Sequence, residues 1–149
     1  MGRFRHSSGY VCSECKFKVW NPVGETDNSI VGFYNDGRFP GRCIVLLRSH
    51  FDHILDVPDD LFHTFMMDVR RASQAVAQVA GAERMNIAVL GNKEPHVHAH
   101  VIPRHATELR PEQPPWSTGT EWFSLDPGDA ASWAFSVKEG LLTGPDADS

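Results

Sequence analysis

The chain has 149 residues, 41% of them hydrophobic and 22% charged, with a formal net charge of −5. That is the profile of one soluble globular domain with a proper core. No run approaches the roughly 18–20 apolar residues of a membrane span, and the acidic balance argues against general nucleic-acid binding, which leaves a basic footprint.

Residues 1–10 read as a loose arm. They carry basic residues but no apolar stretch of the kind a secretory signal needs, so the default location is cytoplasmic. There are three cysteines, two of them in Cys12-Ser13-Glu14-Cys15. This is no disulfide framework; in a reducing compartment it reads as metal or redox chemistry, and no thioredoxin-like βαβ pattern surrounds it. Lys16 to Trp20 is a candidate short strand, broken by Asn21-Pro22-Val23-Gly24. Ser29 to Tyr34 and Arg42 to Leu47 read as strands separated by an Asn35-Asp36-Gly37 turn, with Cys43 in the core.

Asp59 or Asp60 is a natural N-cap. Behind it Phe62, Phe65, Met66, Val69, Ser73, Val76 and Ala80 recur at helical spacing, with Ser73 the one polar break, and Gly81 is a natural C-terminal stop. Asn86 to Leu90 and His96 to Ile102 follow as strands. Pro111, Pro114 and Pro115 mark a loop or tail. Asp126-Pro127-Gly128-Asp129 opens a short helix with Trp133, Ala134, Val137 and Leu141 on one face, and the residues from Thr143 onward read as disordered. Three strands, a long helix and two more strands predict an antiparallel α+β domain.

His96-Val97-His98-Ala99-His100 carries the most information. Alternation on a strand puts the three imidazoles on one face and Val97, Ala99 and Val101 on the other. A polar strand face, three metal ligands, and catalysis all satisfy that pattern taken alone. The flanks narrow it. Leu90-Gly91-Asn92, then Pro95 before the histidines, then Ile102-Pro103-Arg104 after them, together resemble the motif of the histidine triad (HIT) superfamily, in the form found in bacterial hydrolases related to diadenosine polyphosphate hydrolases. The likeness reaches back to about Ile30 and faintly to Cys12, and ends near Trp116.

The resemblance implies a HIT domain over 1–110 with an N-terminal zinc-binding arm, and a C-terminal extension over 111–149 packed on it. It implies that His98 is the nucleophile on the α-phosphorus of a nucleotide, usually a purine nucleotide. A neutral imidazole is competent for this near its pKa of about 6.5, provided an acceptor holds the proton on its other nitrogen. His100 would hydrogen-bond the phosphate or bridging oxygen. The Gly91-Asn92-Lys93 backbone would hold non-bridging oxygens, glycine allowing close approach, with Lys93 the loop's one cation. Asn35 would contact the ribose, with apolar walls for the base from 30–33 and 44–46. Arg42 stands where the family has a histidine in Pro-Gly-His, which leaves the substrate open.

The resemblance also implies a structural zinc held by Cys12, Cys15, His50 and His96, with His53 the fallback for His50; two thiolates and two imidazoles suit tetrahedral zinc. It further implies a two-fold homodimer. Arg104 and His105 read as solvent-facing, His6 and His63 as surface residues, and Trp116, Trp122 and Trp133 as packing residues unless they cover a neighbouring subunit's site. The competing readings are a nucleotide-binding protein with little turnover and a zinc hydrolase using the triad as ligands.

Overall fold

In the computed structural model, which describes residues 4–144, five antiparallel strands form one sheet covered on one face by two helices. The strands are β1 (Pro22–Glu25), β2 (Ser29–Phe33), β3 (Cys43–Leu47), β4 (Arg84–Ala88) and β5 (His98–Arg104), in the order β1-β2-β3-β5-β4. The helices are α1 (Asp59–Ala80) and α2 (Pro127–Leu142). The predicted α+β class is the one observed.

Side-chain alternation divides the sheet into two working faces. Val31 on β2, then Cys43, Val45 and Leu47 on β3, and Ala99 and Val101 on β5 pack against Phe65, Val69, Ala72 and Val76 of α1 and Val137 and Leu141 of α2. Ile30 and Leu46 belong to a second cluster with Val19, Tyr10 and Phe17 of the N-terminal arm. Cys43 lies in the core as expected, where burial pushes its thiol up to about 12. Ser73 fits the apolar stripe because its hydroxyl donates to the Val69 carbonyl at 2.8 Å. The buried Asp68 carboxylate accepts hydrogen bonds from Thr26 and Ser29, both at 2.7 Å, and so ties the β1–β2 turn to α1.

Several local expectations give way to tertiary contacts. Lys16 to Trp20 is not a strand: Lys18 makes an isolated bridge with Val11, and the strand lies over Pro22–Glu25, where a break was predicted. Asn21, in the left-handed region at φ 53°, turns the chain into β1. Proline is tolerated as first residue of this edge strand, where a register irregularity follows between Pro22 and Gly24. Pro58, not Asp59 or Asp60, occupies the N-cap of α1; both aspartates sit in its first turn, where they face the positive end of the helix dipole. Gly81 ends α1 at φ 63°, as expected.

β4 begins at Arg84, two residues early, and β5 begins at His98, two residues after His96. The arm is not loose from Phe4 onward, since Phe4 is buried and Arg5 bridges Glu25. Arg104 is not solvent-facing: it is buried, donating to Glu108, Asn86 and the Arg110 carbonyl. After it the chain returns across the domain. The Gly37 amide donates to the Phe123 carbonyl at 2.7 Å, and α2, capped by Asp126, lays Trp133 over Gly41. The disorder expected at the C-terminus concerns residues of which 145–149 lie outside the described ones; Thr143 caps α2.

Candidate active site and metal centre

Strand register sets the site. β3 and β5 pair Leu46 with His98 and Ile44 with His100, so both imidazoles project from the sheet face opposite the helices. They line a cleft of about 690 Å³, with Cys15 to Lys18 and Trp20 from the arm, Phe33, Tyr34 and Ile44 from the sheet, and Leu90 to Glu94 from the β4–β5 loop. Three lysines face one carboxylate around it, a local positive balance on an acidic protein.

His98 Nδ1 lies 2.7 Å from the main-chain oxygen of His96. A carbonyl only accepts, so Nδ1 carries the proton and the lone pair is on Nε2. His100 is fixed the other way. The Arg42 guanidinium, which only donates, places Nη2 3.0 Å from His100 Nδ1. Nδ1 therefore accepts, and Nε2–H is the donor. Burial, then the neighbouring Arg42 charge and His98, hold the His100 pKa down at about 4, so the ring is neutral near pH 7. Arg42 is itself anchored, its Nη1 2.7 Å from a carboxylate oxygen of the fully buried Asp36, which also pairs with Arg38. Tyr34 lies edge-on to His100 and beneath the Arg42 guanidinium.

His96 is turned to a different task. Its Nε2 lies 2.6 Å from the Leu47 carbonyl, and His50 Nε2 lies 2.8 Å from an Asp52 carboxylate oxygen. Each acceptor puts a proton on Nε2 and leaves a lone pair on Nδ1 of the neutral ring. The two Nδ1 atoms face each other at 3.2 Å, with Cys12 Sγ 3.7 Å from His50 Nδ1 and Cys15 Sγ 3.3 Å from His96 Nδ1. The four donor atoms all lie within 4.8 Å of one another. Facing lone pairs repel unless a cation lies between them, and tetrahedral zinc with these ligands sets its donors roughly 3.3–3.8 Å apart. The donor set fits zinc in chemistry, and its three short contacts of 3.2–3.7 Å are close to that spacing. Burial pushes the Cys12 thiol up, but hydrogen bonds from the backbone of Cys15 and Glu14 and from the Cys15 and His50 side chains outweigh it and bring it down to about 7.

The structure thus gathers His98, His100, Gly91, Asn92 and Lys93 around the cleft, sets Arg42 behind His100, and gathers Cys12, Cys15, His50 and His96 beside it. His53 is outside that quartet. Asn35 is not in the cleft wall: its side-chain amide donates to the Leu125 carbonyl and accepts from the Leu125 amide, which spends it on holding the C-terminal extension. Of the apolar walls, Phe33 and Ile44 reach the cleft, whereas Ile30 and Leu46 are buried under the arm. Sequence reasoning missed Asp36, Tyr34 and the arm residues Phe17, Lys18 and Trp20. Only Asp36 left a signal, an acid flanked by Arg38 and Arg42. Trp122 is half-exposed and meets Tyr34 edge-on, and Trp116 is exposed.

The HIT domain family matches residues 20–107, and the chain belongs to that family. Its fold is similar to a histidine triad protein of Bradyrhizobium japonicum (TM-score 0.72, 21% identity, covering 80% of this chain and 89% of that one). It is also similar to a Zn-bound histidine triad family protein of Mycobacterium smegmatis (TM-score 0.62, 20% identity, 80% and 82%). A third similar structure is the Plasmodium falciparum diadenosine triphosphate hydrolase (TM-score 0.62, 14% identity, 91% and 85%).

Proposed function

We propose that this protein is a nucleotide hydrolase or nucleotidyl transferase that works through a covalent nucleotidyl-His98 intermediate. The carrying observation is His98, whose Nδ1 is held by the His96 carbonyl at 2.7 Å so that Nε2 offers its lone pair to the cleft. In the first step Nε2 attacks the α-phosphorus of a purine nucleotide. A P–N bond forms, the P–O bond to the leaving group breaks, and the electron pair departs on the leaving oxygen. His100 Nε2–H donates a hydrogen bond to that oxygen or to the phosphate. In the second step water, or another acceptor hydroxyl, forms a new P–O bond and gives up its proton to the departed leaving oxygen or to solvent, while the P–N bond breaks and its electron pair returns to His98 Nε2. Gly91, Asn92 and Lys93 meet the non-bridging oxygens. Hydrogen-bond donors and a local positive balance supply the charge stabilisation, so the chemistry needs no added divalent metal.

Cys12, Cys15, His50 and His96 hold zinc as a four-ligand structural site, which when bound cross-links the arm to the start of β5. The active form is a cytoplasmic homodimer. Rapid-quench mass spectrometry with a panel of purine nucleotides tests the reading. A nucleotidyl adduct on His98, absent in His98→Asn, is expected. Tight nucleotide binding with no adduct and no turnover would instead make the protein a nucleotide binder.

A further inference from the structure

The metal quartet and the cleft share one piece of chain. Cys12 and Cys15 form a tight knuckle: the Cys12 carbonyl accepts from the Lys16 amide, the Cys12 amide donates to the Phe17 carbonyl, and Lys16 takes the left-handed φ of 66°. The next residues leave the knuckle straight into the cleft wall. The Phe17 ring lies 5.9 Å from that of His96 and 5.4 Å from that of His98, so one side chain touches both a metal-site imidazole and the nucleophile. Beyond it the Lys18 ammonium sits 4.3 Å over the ring of Trp20, which is 69% exposed and lines the cleft. A large, solvated aromatic ring with a cation on its face thus stands in the same cleft wall as His98 and His100.

Resting on the nucleotide reading above, we infer that the segment 15–20 is a substrate subsite whose shape is held by the metal, so that metal occupancy and nucleotide affinity are thermodynamically linked. Lys18 meets the phosphate chain and Trp20 offers its ring to a planar base, in the manner of aromatic stacking platforms for bases. Val19, buried between Ile30 and Leu46, anchors the middle of the segment to the sheet, and the metal anchors its root. Without the metal the root keeps the knuckle's hydrogen bonds but loses its cross-link to His50 and His96. The wall formed by 15–18 then loosens. By linkage, nucleotide must in turn tighten the hold on zinc by the same factor.

The test is calorimetric titration with AMP of zinc-loaded and metal-stripped protein, with far-UV circular dichroism and the melting profile to show that the sheet and helices persist. Metal-stripped protein is expected to bind AMP roughly tenfold or more weakly, the scale of one lost stacking contact. In the zinc-loaded protein, Lys18→Ala with Trp20→Ala is expected to give a similar loss at unchanged zinc content, and to add little further loss once the metal is removed. These side chains are solvent-facing, so the double variant answers the question even where stripping unfolds the wild type. Equal AMP affinity with and without metal, or a double variant that binds like wild type, overturns the inference and leaves the nucleotide reading standing. Zinc-loaded wild type that binds no nucleotide overturns both.

Discussion

His98 and His100 are two imidazoles two residues apart whose tautomers are set oppositely by what holds them. A carbonyl fixes the proton of His98 on Nδ1, and a guanidinium forbids one on Nδ1 of His100. His98→Ala is expected to abolish the covalent route, whereas His100→Ala loses a donor and should retain activity reduced by about 10²–10⁴-fold; steady-state rates on the true substrate decide it. His100 also carries a pH signature. Its folded pKa of about 4 lies below the ordinary value of about 6.5, so the unfolded chain takes up the proton first as pH falls. The stability its neutral form contributes is full above about 6.5 and is lost as pH drops toward 4. Arg42→Gln keeps a donor but removes the charge; burial remains, so the His100 pKa is expected to rise only part of the way, which an imidazole NMR titration reads directly. An unchanged titration would remove Arg42 from this role.

Among elements, α1 and the returning extension do different work. α1 supplies the core, with Phe65 buried against the sheet, and Phe65→Ala is expected to cost about 3–5 kcal/mol in denaturant unfolding. Within the extension α2 is anchored in the core by Val137 and Leu141, whereas the strap leading into it is held chiefly by the Asn35 amide on Leu125 and the Gly37 amide on Phe123. A Cβ at Gly37 would sit 2.2 Å from the Phe123 ring. Gly37→Ala should therefore lift this strap while the core stays folded. New protease cleavage between residues 111 and 126, with little change in melting temperature, is the expected result; an unaltered digest would show that the ring simply shifts aside.

For the whole molecule, the metal content and the subunit state are each read by one measurement. Purified protein is expected to carry about one zinc per chain, and Cys12→Ser with Cys15→Ser to carry none; metal analysis after growth in zinc-supplemented medium measures both. Among the described residues β4 pairs on one side only, with β5, and Ile87 on it is half-exposed. An unpaired edge next to a long helix suits a two-fold partner. Light scattering at micromolar concentration should give twice the chain mass, and a monomer would reject the dimer.

By itself the sequence determined what rests on periodicity and local chemistry. Helical spacing from Phe62 to Val76 with Gly81 after it, and apolar alternation around the histidines, are readable because 3.6- and two-residue repeats need no distant partner. The motif around His96 to His100 carried the family, and with it the Cys12, Cys15, His50 and His96 set. Tertiary structure decided the features built from residues far apart in the chain. Asn21, folded into a left-handed turn, opened a strand where Pro22 and Gly24 had predicted a break. Arg104 left solvent because Glu108, Asn86 and the Arg110 carbonyl surround it. Asn35 is held by Leu125, ninety residues away, rather than facing the cleft. Arg42, which in sequence is only a departure from a motif, is fixed between Asp36 and His100 because β3 and β5 pair side by side, and that register is a property of the sheet and of no single segment.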